Sequence, residues 1–127
     1  MDEDFGKTEK YFELCMRINQ LRGLLSVEMD KIKVIKHDIL KRAVRIEHLK
    51  AQQSKLVGEN AENMFSLARD EVMEYLTLSN LIKEERKQVC AFEDKRNEIF
   101  KNALNIRHEI VDNEYKVEQL LGRGWAV

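Results

Sequence analysis

Residues 11–56 read YFELCMRINQLRGLLSVEMDKIKVIKHDILKRAVRIEHLKAQQSKL, and the spacing within them decides the fold. Tyr11, Ile18, Leu25, Ile32, Ile39 and Ile46 recur every seventh residue. Offset by three, Leu14, Leu21, Ile35, Leu49 and Leu56 make a second series, broken at Glu28 and Arg42. Alternating steps of 3 and 4 keep both series on one side of a helix. This is the seam of a coiled coil, with β-branched residues gathered at one of its two core positions. A helix running from about 8 to 57 measures roughly 75 Å.

A weaker copy of the pattern follows. Tyr75, Ile82, Val89, Ala103, Ile110 and Val117 form one series. Met64, Leu78, Phe92, Ile99, Ile106 and Leu120 form the other, with Glu71, Glu85, Arg96 and Asn113 as interruptions. Asn113 is read either as the mark of a fraying helix end or as a buried polar residue that fixes register.

The breakers agree with two segments. The chain has no Pro and five Gly, at 6, 23, 58, 122 and 124. So few turn formers disfavour an all-β fold. The expected helices run from about 8 to 57 and from about 62 to 121. Thr8 is the expected start. Gly58 is the expected left-handed stop and Asn60 or Asn63 the next cap, while Gly122 ends the second helix. Residues 1–7 and 122–127 are expected as short flexible ends of a single domain spanning 1–127.

Two helices and a short joint predict an antiparallel hairpin. One bent helix in a parallel dimer and a three-helix bundle broken near Ser79-Asn80 are the alternatives. Charge favours the hairpin. Residues 31–50 hold Lys31, Lys33, Lys36, Lys41, Arg42, Arg45 and Lys50 against Asp38 and Glu47. Residues 59–85 hold Glu59, Glu62, Asp70, Glu71, Glu74, Glu84 and Glu85 against Arg69 and Lys83. Folding back lays these stretches side by side. In an antiparallel pair, facing residue numbers add to a constant. A constant of 117 sets Ile18 against Ile99. A constant of 124 sets Ile18 against Ile106, Glu28 against Arg96 and Gln53 against Glu71, and is preferred because polar layers then meet polar partners. It leaves Glu85 near Ile39 and Arg42 near Ile82.

Large apolar residues remain outside the seams. Leu24, Leu40 and Val44 on the first helix and Phe100, Leu104 and Val111 on the second are the expected partner surface. An apolar face wider than a two-stranded seam packs on more than one neighbour. The fold expectation is therefore an all-α, elongated coiled-coil hairpin that packs into a larger helical bundle, either a homodimer or a hetero-oligomer.

Chemistry is expected to be absent. The residues three before His37, His48 and His108 are Val34, Arg45 and Asn105, so the Glu-x-x-His pairs of di-iron bundles are missing. There is no HExxH, no phosphate-binding glycine loop and no GxSxG. Cys15 and Cys90 have no zinc-like spacing and no disulfide framework. No enzyme activity, cofactor or metal is expected. Charged residues make up 35% of the chain, yet 22 Lys+Arg against 23 Asp+Glu leave a net charge of -1, which disfavours nucleic acid as a partner. No run approaches the ~18 apolar residues of a membrane span.

The functional expectation is a non-enzymatic structural or adaptor subunit of a cytoplasmic multi-protein complex of transport, tethering or cytoskeletal type. No motif identifies one family. The alternative is direct contact with microtubules or an anionic membrane through the basic stretch 31–50, with Lys33, Lys36, Lys41 and Arg45 as its basic face. The expected location is cytoplasmic, at the cytoskeleton or on vesicles in either case.

Overall fold

A computed structural model describes residues 2–59 and 68–122. All of them are helical except Ala68, Leu121 and Gly122. Helix α1 spans Asp2–Glu59 and helix α2 spans Arg69–Leu120, and the two fold back on each other as a hairpin. Neither helix breaks, so the three-helix alternative is not adopted, and α2 runs straight through Ser79 and Asn80.

The helix ends correct the expectations in part. α1 begins at Asp2, ahead of Thr8, because only Gly6 weakens the helix in between. Residues 2–7 are therefore helical. Gly58 stays helical and Glu59 closes the described part of α1, so Gly58 is not the left-handed stop. The expected caps Asn60 and Asn63, and the expected start at 62, lie outside the described residues. Ala68 stands at the N-cap of α2. Its carbonyl accepts the Val72 N–H at 2.9 Å, and the Glu71 carboxylate accepts the Ala68 N–H at 3.2 Å. That is half of a capping box, and Asp70 and Glu71 also match the positive end of the helix dipole. At the other end Gly122 takes φ 70°, as its place after Leu120-Leu121 requires. The Gly122 N–H reaches the Gln119 carbonyl at 3.1 Å, one of the two bonds of a Schellman stop.

The hairpin divides into two compact units, one of residues 1–33 with 97–127, the other of residues 34–96. In the first, Ile18, Leu21 and Ile110 form the core, with Leu25, Ile106 and Val117 packed against them. Leu21 is 1% exposed. Asn113 is buried in this unit, well inside α2, so it marks no fraying end. Among the described residues no buried side-chain polar atom lacks a partner. In the second unit Ile46, Leu49, Leu78 and Ile82 form the core, and Leu56 and Val89 pack on it. Every described position of the two expected seams is buried or half-buried.

The register differs from the preferred one by about one helical turn. Ile18 packs with Ile110, where Ile106 was expected opposite it. Gln53 was expected against Glu71; its amide instead donates to the Tyr75 carbonyl at 3.2 Å and the Ser79 hydroxyl at 2.6 Å. Glu28 takes Lys31 at 3.0 Å on its own helix rather than Arg96. The constant of 117, further off still, is excluded by the same contacts. The physical reason is Glu85. It is 9% exposed, and in the expected register it faced Ile39. One turn further, its carboxylate receives Arg42 at 2.9 Å and Arg45 at 3.3 Å, so two seam breakers cancel each other. A buried carboxylate facing an aliphatic neighbour costs several kcal/mol.

Leu21→Ala should lower the unfolding free energy by roughly 2–5 kcal/mol, since a filled core position becomes a cavity. Leu24→Ala, at an exposed position, should stay within about 0.5 kcal/mol of the parent in the same urea melt. Glu85→Ala should cost roughly 1–3 kcal/mol by leaving Arg42 half-buried without its acceptor. Arg42→Leu combined with Glu85→Leu should recover most of that loss, because an apolar layer replaces the ion pair.

Candidate partner surface

The six expected surface residues are all exposed: Leu24, Leu40, Val44, Phe100, Leu104 and Val111. They fall in both units. In the unit of residues 1–33 and 97–127, Phe100, Leu104 and Val111 share one side of α2, and exposed Tyr115 extends the row. Their steps of 4, 7 and 4 return to the same side because 11 residues make close to three turns. Leu24 lies on α1 of that unit. In the unit of residues 34–96, Leu40 and Val44 stand one turn apart on α1.

A second row went unread in the sequence. Phe5, Phe12, Met16 and Val27 are exposed on α1, Phe5 to 73% and Met16 to 64%. They follow steps of 7, 4 and 11, and Gly23 falls on the same side. Met16 lies two residues from both Leu14 and Ile18, a rotation of about 200°, so the row faces away from the seam. The 7-residue rhythm masks this row, since it belongs to an 11-residue rhythm. Gly23 costs the helix roughly 1 kcal/mol relative to Ala, and nothing lies within 4 Å of a Cβ placed there.

The expected basic face is dispersed. Lys33, Lys36 and Lys41 are exposed on α1. Lys36 and Arg45 are nine residues apart, so they point to opposite sides of the helix, about 180° apart. Arg45 is drawn to Glu85. Lys41 and Arg45 line a cleft of about 450 Å³ with Asp38, Arg42, Glu85 and Phe92. There the Arg42 guanidinium sits 5.5 Å from the centre of the Phe92 ring. Two arginines on one carboxylate, capped by an aromatic face, hold the seam together.

Other contacts are surface ion pairs. Arg17 donates to Glu109 at 2.9 Å, and Arg22 lies 3.5 Å from Glu114. Both pairs are well exposed and worth at most about 1 kcal/mol each. Among the described residues no group of three His, Cys, Asp or Glu is placed to hold a metal ion, and no helix is long and apolar enough to cross a membrane. No protein-family model, curated protein or solved structure matches the chain.

The two thiols differ in access. Cys15 is half-buried, while Cys90 is exposed in a cleft shared with Lys83, Arg86 and Lys87. A maleimide should therefore modify Cys90 before Cys15, and mass spectrometry of non-reduced protein should find no bond between them.

Proposed function

We propose that this chain is a non-enzymatic structural or adaptor subunit that builds a cytoplasmic multi-protein complex, of transport, tethering or cytoskeletal type, through helix-on-helix contacts. One observation carries the reading: large apolar side chains stand on the faces that the hairpin leaves outside its seam. Leu40 is 63% exposed, and Phe100 and Leu104 are about half exposed. Isolated apolar residues on a surface need no explanation, but rows of them at helical spacing are the form a helical partner recognises. Burying such a side chain fully contributes roughly 1.5–3 kcal/mol. The hairpin's own seam uses none of these residues, so they can be covered without unfolding it.

Affinity capture of the tagged full chain from its source tests this. Defined protein partners should be retained by the parent chain. They should be lost with Leu40→Asp/Val44→Asp or with Phe100→Asp/Leu104→Asp, while circular dichroism of both variants stays helical. Co-sedimentation with microtubules or anionic vesicles examines direct surface docking through residues 31–50. Pelleting that vanishes with added salt and with Lys36→Glu/Lys41→Glu, in a chain that captures no partner, would replace the adaptor reading with that one.

A further inference from the structure

We propose that the chain closes the open end of its own hairpin: the cleft between the start of α1 and the end of α2 takes the indole of Trp125. The clasp is intramolecular and goes beyond the adaptor reading, since it needs no partner.

The cleft lies within the unit of residues 1–33 and 97–127. Lys7, Thr8, Tyr11 and Phe12 line it from α1, and Leu120 and Leu121 line it from the end of α2, around a space of about 450 Å³. A space of that size has room for a two-ring group. Its lining is largely apolar and aromatic. Phe12 is 59% exposed and Leu121 46% exposed, so the cleft has large apolar side chains left to cover. The rings of Tyr11 and Phe12 already stand edge to face, their centres 5.7 Å apart. Lys7 and Thr8 add a polar border. An indole suits such surroundings: it has a broad apolar body, one N–H to satisfy, and a ring face that attracts a cation.

The course of the chain says what covers the cleft. Leu121 lines it, and the next residue is Gly122, with φ 70° and its N–H on the Gln119 carbonyl. A left-handed residue there turns the chain off the helix axis. Trp125, the only tryptophan in the chain, lies outside the described residues, three positions after Gly122. Three residues span at most about 10 Å, so the indole is anchored within reach of the cleft. It brings roughly 150–250 Å² of surface to bury, and few residues must be ordered to deliver it. So short a tether holds it there at an effective concentration on the order of millimolar, ahead of an untethered partner. Once seated, the indole ties the first turns of α1 to the end of α2, and a partner that docks on Phe12 must displace it.

Fluorescence of the full chain reads the site directly, because one tryptophan carries the signal. Emission of the native chain should lie at shorter wavelength than that of the chain in denaturant, be less quenched by acrylamide, and stay the same on dilution. Phe12→Ala and Leu121→Ala should each shift it back toward the denatured position. Both side chains are exposed, so circular dichroism of these variants should remain that of the parent. Phe100→Ala, at an exposed position outside the cleft, should leave the emission unchanged. Native emission equal to that of an indole in water overturns the proposal. So does a short-wavelength emission that neither Phe12→Ala nor Leu121→Ala moves. Emission that shifts to longer wavelength on dilution also overturns it, since the indole is then covered by a second copy.

Discussion

The seam depends on a carboxylate that would otherwise be out of place. Glu85 sits in a row of Ile, Leu and Val, where an unpaired charge is among the costliest features a small protein can carry. Arg42 interrupts the facing row in the same way. Aliphatic layers are alike enough that sliding one helix past the other by a repeat changes little apolar contact. Sliding Glu85 away from Arg42 strands two charges at once. The guanidinium also lies over Phe92, so the pair is held by a hydrogen bond on one side and a ring face on the other. Gln53, whose amide reaches the Ser79 hydroxyl, repeats the principle with neutral groups in the same unit. Aliphatic layers supply the cohesion, and polar layers select which layers meet.

This division explains what could be read from the sequence. The seam residues were legible because burial imposes a period, and every described one of them is buried or half-buried. The stop at Gly122 was legible because a left-handed residue after a helix favours glycine. The register was not, since a regular repeat offers several near-equal alignments and the choice rests on three-dimensional pairing of Glu85, Arg42 and Gln53. The cap ahead of Arg69 carries little signal in the sequence: its carboxylate comes from Glu71, three residues on, and Ala68 at the cap position has no capping side chain.

The surface was half legible. Phe100, Leu104 and Val111 were found because they sit beside the second seam. Phe5, Phe12, Met16 and Val27 were missed because they lie opposite the first seam and follow another period. The basic stretch looked like one face only in linear order; on the helix Lys36 and Arg45 diverge, and Arg45 serves the hairpin's own Glu85. The large apolar residues left exposed on both helices include rows at helical spacing.

The clamp on Glu85 also bears on how this sequence can change over time. In most small domains the aliphatic core tolerates substitution least. Here Ile46, Leu49, Leu78 and Ile82 can exchange among similar side chains, because neighbouring layers resemble one another and volume-conserving swaps cost little. Arg42 and Glu85 have no such freedom as individuals. A lone change at either leaves the other charge stranded, while a joint change to apolar residues removes the strain but also erases the mark that distinguishes one alignment from the next. Drift at these two positions is therefore expected to be paired, and lineages that lose the pair must carry another polar layer elsewhere in the seam to keep a single alignment.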